Sequence, residues 1–222
     1  MGMNRTIAAL SLGALALALV PAATAAPKPA KPGPGSSLSI AAKPSPLLFG
    51  RTSTVAGKLT GTNVSGQTVT LRSDQAPYDK FANAGTTTTN ASGDYAFAQK
   101  PTVNTRYQAR IGNLQSAVIT LPVRPAVSLR LSDYTPQRGQ RVRFAGRVCP
   151  EHDGASLSIQ KRYSNGYRTI RRTTLRDIPG VACSRYRKTI RIFRDGRFRA
   201  VIGAHADHAT GLSRSRVADA HS

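Results

Sequence analysis

The fold of this chain is decided by two similar stretches, LSIAAKPSPLLFGRTSTVAGKL (Leu38–Leu59) and VSLRLSDYTPQRGQRVRFAGRV (Val127–Val148). Each has an opening strand pattern, a polar or proline-containing bend, and a glycine, Gly50 or Gly139, before a second strand pattern. Self-similarity at a fixed spacing, here about 90 residues, is typical of a duplicated structural unit. The sequence therefore predicts two copies of one domain.

Two shorter matches extend the repeat. GQTVTLRSD (Gly66–Asp74) matches GASLSIQKR (Gly154–Arg162), and both alternate apolar with polar residues. GDYAF (Gly93–Phe97) matches GRFRA (Gly196–Ala200) as a turn glycine that leads into an aromatic-bearing strand. Short alternating runs, broken by Gly, Pro, Asn and Asp about every 8–12 residues, are typical of a β-sandwich or barrel. We find no helical period, so the sequence predicts an all-β fold.

The N-terminal segment has the features of an export signal. A single charge, Arg5, precedes an apolar run, Ile7–Val20, which is too short to cross a bilayer of roughly 30 Å. Small residues at Ala23–Ala25 then suit cleavage after Ala25. We expect residues 1–25 to be a signal peptide and the mature protein to be secreted, with no transmembrane segment.

The remaining boundaries follow from composition. Residues 26–37 are rich in Pro and Lys and predict a disordered, solvated linker. The seam at Pro122–Pro125 then separates a first domain, residues 38–124, from a second domain, residues 125–218, followed by a tail, residues 219–222.

The order of these motifs resembles a known family. A strand that ends in AGK or AGR, a GQxVxL strand and then T…ASGDYAF are similar to tandem immunoglobulin-like repeats in secreted proteins of GC-rich Gram-positive bacteria. The resemblance covers roughly Ser37 to Ser215. It implies two tandem immunoglobulin-like β-sandwich domains, at the cell surface or in the medium, which bind ligands or space other domains without shared catalytic residues.

The charge of the chain is one-sided. Lys and Arg number 32 against 10 Asp and Glu, which gives a formal net charge of +22. Residues 125–222 carry 20 of the basic residues, 18 of them Arg, against seven acidic ones. Such a field attracts acidic ligands more than basic ones.

Arginine alternates with apolar residues in the second copy. Because strand side chains alternate between faces, we expect Val142, Phe144, Ile190, Ile192 and Phe198 to face the core and the arginines to stand outside. The arginines in question are Arg141, Arg143, Arg147, Arg185, Arg187, Arg191, Arg197 and Arg199. Arg binds phosphate and carboxylate bidentately, which predicts a polyanion-binding face for an anionic cell-wall polymer, acidic polysaccharide or extracellular DNA. The alternative is a merely solvated surface, with arginine the basic residue that a GC-rich genome favours.

A hairpin signal lies beside these arginines. Tyr163 and Tyr167 flank Asn165-Gly166, a pair typical of a type I′ turn. The two tyrosines could stack a base or a sugar ring, or they could simply cover a sheet edge.

The two cysteines predict a disulfide. Cys149 and Cys183 are an even pair in an exported chain, and oxidising compartments favour disulfides. Closing a loop of about 35 residues would stabilise the fold by roughly 3–4 kcal/mol in the chain-entropy model.

Candidates for catalysis and for metal binding are few. His205, Asp207 and His208 could offer metal ligands. On a strand, however, the two histidines would point to opposite faces, and a third ligand to accompany them is not evident. Exposed loop histidines are the other interpretation, and we predict no cofactor, no metal and no enzymatic activity. The sequence favours a secreted, non-catalytic binding or adhesion module; the alternative is a structural spacer or a module that binds a protein partner.

Overall fold

The structure, a computed structural model, describes residues 30–221. The predicted signal peptide and the first residues of the predicted linker lie outside this range. Within it the chain forms strands and loops but no helix, which confirms the all-β prediction. The described residues accordingly include no helix long and apolar enough to span a membrane.

Twenty strands follow one another along the described chain. The first half, residues 37–124, contains β1 (Ser37–Leu38), β2 (Ala41–Lys43), β3 (Leu47–Leu48), β4 (Ser53–Thr60), β5 (Thr68–Gln75), β6 (Ala82–Thr88), β7 (Asp94–Gln99), β8 (Thr105–Ile111), β9 (Leu114–Gln115), β10 (Ile119–Leu121) and β11 (Val123–Arg124). The second half, residues 126–221, contains β12 (Ala126–Val127), β13 (Arg130–Leu131), β14 (Gln140–Cys149), β15 (Ser156–Tyr163), β16 (Gly166–Thr174), β17 (Ser184–Ile192), β18 (Gly196–Ile202), β19 (Gly211–Leu212) and β20 (Arg216–Ala218).

Residues 30–36 depart from the prediction of a free linker. They form no strand, but they are held against the loop between β4 and β5. The Gln67 side chain donates to the Ala30 carbonyl at 2.6 Å, and the Asn63 side chain donates to the Lys31 carbonyl at 3.1 Å. Two backbone carbonyls of the predicted linker thus accept hydrogen bonds from the first half, although none of residues 30–36 is buried.

The first half packs two antiparallel sheets against each other. One sheet pairs β4 with β1 and β2 on one side and with β7 on the other; the second sheet has the order β6–β5–β8, with β9 and β10 on the far side of β8. Their inner faces enclose a hydrophobic core in which Val55, Leu59, Val69 and Leu71 are fully buried.

The second half repeats the topology of both of these sheets. β14 pairs with β12, β13 and β17, and the other sheet has the order β16–β15–β18, with β19 and β20 beyond β18. Even the register shift in β5 between Leu71 and Arg72 recurs in β15 between Ile159 and Gln160. The five residues that the alternation predicted to be inward are all buried in its core, namely Val142, Phe144, Ile190, Ile192 and Phe198.

A tyrosine and a glycine make the same contact in both halves. The Tyr95 hydroxyl donates to the Ser39 carbonyl, and the Tyr186 hydroxyl donates to the Ser128 carbonyl at 2.6 Å. Each carbonyl oxygen lies over a glycine, where a Cβ would come within 1.9 Å at Gly57 or 2.0 Å at the matching position of the second half. Burial raises the pKa of Tyr95 to about 12, so its hydroxyl is a protonated donor at neutral pH.

One of the three predicted matches is wrong. Gly93–Phe97 leads into β7, which pairs with β4, whereas Gly196–Ala200 begins β18, which pairs with β15. The strand equivalent to β7 is β17, and the strand equivalent to β18 is β8. A turn followed by an aromatic strand occurs on both sheets of this fold, so the local pattern does not specify which strand it marks.

The two halves meet around the strand that joins them. β11 pairs in parallel with β3, and its Val123 is fully buried. The Val123 amide donates to the Asn104 side chain at 2.8 Å, while its carbonyl accepts from the Ala209 amide at 2.8 Å. The Asn104 amide in turn donates to the Asp207 carbonyl at 2.8 Å. Backbone groups of the connecting strand are thus shared between the first half and a loop of the second.

Candidate functional site

Six of the eight predicted arginines lie on one outer sheet face. In the pairing of β14 with β17, Arg141 lies directly opposite Arg191, and Arg147 lies directly opposite Arg185. Arg143 and Arg187 belong to the same face, because residues two apart on a strand share a side. All six are exposed.

A seventh arginine joins them from β13. Arg130 pairs with Ala145, whose other cross-strand neighbour is Arg187, so the three residues form one row across the sheet. Leu129 and Leu131 are both buried, so the alternation of apolar and polar residues could have predicted that Arg130 faces outward. We name this surface the arginine face, and it comprises Arg130, Arg141, Arg143, Arg147, Arg185, Arg187 and Arg191.

Arg197 and Arg199 lie elsewhere. Both are on β18, in the other sheet, with Arg199 opposite Gln160. The Arg199 Nε donates to Gln160 Oε1 at 2.8 Å. The eight predicted residues therefore do not make a single face, because β14 and β17 belong to one sheet of the sandwich and β18 to the other.

The equivalent face of the first half carries fewer cations and one acidic residue. The positions that match Arg147 and Arg185 are Lys58 and Asp94, which form an ion pair at 3.3 Å. The register also places Ala41 where the second half has Arg130, and Ala96 where it has Arg187. The same sheet thus carries an ion pair in one half and opposed cations in the other.

Acidic side chains do not neutralise the second half. Within residues 30–221, none of its Lys or Arg side chains has an Asp or Glu oxygen within 4.0 Å. These side chains contact carbonyls, amides and aromatic rings instead, such as Gly139 O for Arg191 at 3.2 Å. Their charge is therefore available to an external anion.

A basic cleft of about 700 Å³ opens where the edge strands β16 and β17 face each other. Phe198, Ile190 and Ile192 supply apolar walls, and Phe193, 59% exposed, is also part of the lining. Its basic lining residues are Arg141, Lys161, Arg171, Arg191 and Arg194, and no acidic residue of the described chain contributes. Arg171 and Arg194 were not predicted, because only the packing of the two sheets brings them together.

The tyrosine hairpin forms, with a different turn from the predicted one. Tyr163 pairs with Gly166, so the two loop residues are Ser164 and Asn165 rather than Asn165 and Gly166. In this hairpin only Gly166 has a positive φ, of 121°, so the type I′ prediction is wrong. Gly166 serves as the first residue of the returning strand instead.

The two tyrosines have different surroundings. The Arg199 guanidinium lies 3.9 Å from the ring centre of Tyr167 and covers one of its faces. Tyr163 is 43% exposed and lines the basic cleft. Tyr163 is therefore the hairpin aromatic placed to contact a ligand.

The predicted disulfide is present between Cys149 and Cys183. Cys149 ends β14 and Cys183 directly precedes β17, so the bridge joins two neighbouring strands of one sheet. It lies two residues from the opposed pair Arg147 and Arg185, and it covalently fixes the strands that carry most of the arginine face.

His205, Asp207 and His208 do not lie on a strand. They belong to the loop of residues 203–210, between β18 and β19, so the strand argument against a shared orientation does not apply. The loop places Asp207 and His208 beside His152, which no spacing in the sequence groups with them.

Comparisons with known proteins identify no family. No protein-family model and no curated protein matches the chain. Among solved structures, a tetra-tandem repeat from the extending region of a large adhesion protein is similar at 15% identity and a TM-score of 0.32, with 83% of this chain and 49% of that chain covered. The D0–D1 domain of intimin is similar at 10% identity and a TM-score of 0.30, with 82% and 97% covered. The chain thus spans about half the length of the adhesion-protein region.

Proposed function

We propose that this chain is a secreted, non-catalytic binding module, built of two immunoglobulin-like domains, whose second domain contacts anionic surface polymers through the arginine face. The observation that carries the proposal is the presence of two pairs of opposed arginines, Arg141 with Arg191 and Arg147 with Arg185. Like charges directly across a sheet are destabilising. The first half shows that the same sheet accommodates an ion pair at one of these positions.

The spacing of the arginine face suits a linear polymer. Side chains on one face of a strand repeat roughly every 6.8 Å, at about 3.4 Å per residue. Arg141 and Arg143 on β14 have this spacing, as do Arg185 and Arg187 on β17, and the two pairs lie toward opposite ends of the face. Arginine binds phosphate and carboxylate by a bidentate fork, so repeated anions along a chain would engage several residues at once.

The basic cleft extends the same surface. Arg141 and Arg191 belong both to the arginine face and to the cleft lining. A polymer that follows the face would thus pass into a site with apolar walls and the aromatic residues Tyr163 and Phe193. Such a site can contact a sugar ring or base while the arginines contact its anions.

The disulfide supports export. A bridge between Cys149 and Cys183 persists in oxidising compartments and is rare in the cytosol. The disulfide and the predicted signal peptide therefore both favour secretion. A secreted protein would meet extracellular polyanions.

Polymer binding over a salt series tests the proposal. The purified protein is titrated with polyglycerol phosphate, polygalacturonate and DNA, with neutral dextran as the reference. We expect tight binding to one anionic polymer, and log affinity should fall linearly with log salt as counterions are released. Replacing Arg143, Arg147 and Arg187 by Ser should reduce that slope by about 0.7 for each arginine that had neutralised a polymer charge.

The matched control removes the same charge from the first half. Lys80→Ser, Lys100→Ser and Arg124→Ser change three basic residues away from the arginine face and should leave binding within about twofold. If both triple variants lose binding equally, net charge alone acts and the arginines are a solvated surface. If no polymer binds at physiological salt, the alternative of a structural spacer or protein-binding module takes its place.

A further inference from the structure

A cluster of histidines lies at the junction of the two halves. It combines His152, from the loop between β14 and β15, with Asp207 and His208, from the loop of residues 203–210. The first half joins its equivalent strands, β8 and β9, with only two residues, so the eight-residue loop is particular to the second half. The ligand atoms of the three side chains all lie within 4.8 Å of one another.

Hydrogen bonds fix the orientation of both rings. His152 Nδ1 lies 2.9 Å from the Pro150 carbonyl oxygen, and His208 Nε2 lies 2.8 Å from the Thr102 carbonyl oxygen. A carbonyl can only accept, so each of these nitrogens carries the proton. In the neutral rings the lone pairs are therefore on His152 Nε2 and His208 Nδ1.

Neither of these two nitrogens has a hydrogen-bond partner in the described chain. Both atoms are buried and lack a hydrogen-bond partner among residues 30–221, and His208 is only 2% exposed. Leaving two buried lone pairs unsatisfied is unfavourable unless a cation or donor meets them.

A carboxylate completes the set. Asp207 Oδ2 lies 3.1 Å from His208 Nδ1, without the alignment of a hydrogen bond. The Asp207 carboxylate and the two nitrogen lone pairs thus lie within 4.8 Å of one another.

We propose that His152 Nε2, Asp207 and His208 Nδ1 bind a divalent transition metal ion of the Zn²⁺ type. Ligands at 2.0–2.1 Å in a tetrahedron lie about 3.3 Å apart, close to the distance between His208 Nδ1 and Asp207 Oδ2. Imidazole ligands select Zn²⁺, Ni²⁺ or Cu²⁺ over Ca²⁺ and Mg²⁺. The carbonyls of Pro150 and Thr102 then act as the outer partners that orient metal-binding histidines.

The fourth position belongs to water or to His205. The His205 ring centre lies 5.3 Å from that of His152, and the His205 side chain is exposed. Because Thr102 of the first half orients His208, a bound ion would also stabilise the junction between the halves. A protonated His208 paired with Asp207 is the alternative, but it leaves His152 Nε2 without a partner in the described chain.

Calorimetric titration tests the site directly. The full chain is purified without a histidine tag, treated with chelator and titrated with ZnCl₂. We expect one Zn²⁺ per chain with micromolar or tighter affinity, a higher melting temperature, and no binding of Ca²⁺ or Mg²⁺. Co²⁺ should give the visible absorption bands of a four-coordinate site, a readout that does not depend on any activity.

Variants separate the proposed ligands from the other histidine. His152→Gln, Asp207→Asn and His208→Gln should each weaken Zn²⁺ binding by at least about tenfold. The matched control, His221→Gln, changes an exposed histidine outside the cluster and should bind as the unmodified protein does. Because Asp207 is half-exposed, Asp207→Asn should fold even where the buried His208 variant does not.

Two outcomes would overturn the proposal: no saturable binding at one ion per chain, or the same affinity in the ligand variants and the control. Polymer binding is unaffected by either result, since the arginine face shares no residue with the cluster.

Discussion

The two halves of this chain share a fold and differ in their outward chemistry. Both have the same strand order and the same tyrosine-to-carbonyl contact over a glycine. On the outer face of the same sheet, however, Lys58 and Asp94 form an ion pair in one half, while Arg147 and Arg185 are opposed in the other. Inward residues and backbone contacts thus define this fold, whereas the outward positions can differ in charge without changing it.

The largest expected difference between the halves comes from the disulfide, which only the second half possesses. Replacing both Cys149 and Cys183 by Ser should destabilise the second half by about 3–4 kcal/mol in the chain-entropy model. Urea unfolding followed by hydrogen exchange and mass spectrometry, which reports on β14 and β4 separately, measures it. Equal loss of protection in both strands would show that the halves unfold as one unit.

A smaller effect should be common to both halves. Gly57→Ala and Gly146→Ala each place a Cβ against a backbone carbonyl, at 1.9 and 2.0 Å, and should destabilise their own half by about 1–3 kcal/mol. Thermal and urea unfolding of the two variants gives the values. Gly203→Ala is the control, because a Cβ there meets nothing within 4 Å, and it should be neutral. A large effect at one glycine alone would weaken the equivalence of the halves.

The smallest effect on stability is expected from substitutions that exchange the charges of the two halves. Arg185→Asp gives the second half the ion pair of the first and should stabilise it, whereas Asp94→Arg should destabilise the first half, each by about 0.2–1 kcal/mol. Melting temperatures at low and high salt measure the change, since screening should shrink both differences. Effects of the same sign in both variants would contradict a local charge interaction.

The features of the fold that can be predicted from the sequence are those with a short period along the chain. The alternation around Val142 and Phe144 is visible in sequence because a strand has a period of two, and both residues are buried as predicted. The disulfide could be predicted from the even number of cysteines together with the export signal. The match of Gly93–Phe97 with Gly196–Ala200 failed, because a turn and an aromatic strand do not encode which sheet they enter.

The candidate sites could be predicted only in part from the sequence. Six residues of the arginine face follow from alternation within β14 and β17, but their division from Arg197 and Arg199 depends on sheet membership. The basic cleft needs Arg171 and Arg194 from different parts of the sandwich. The histidine cluster needs His152 and His208, more than fifty residues apart, and no local spacing relates them.

The parallel contact between β3 and β11 also bears on how such units can be joined. Leu47 pairs with Val123, and the chain passes from there directly into the second half. A parallel bridge at the matching place in the second half links Gln137 to His221. A domain fused beyond residue 221 would depart from the second half as the second departs from the first. Both halves therefore end in a parallel pairing from which a further copy could be joined.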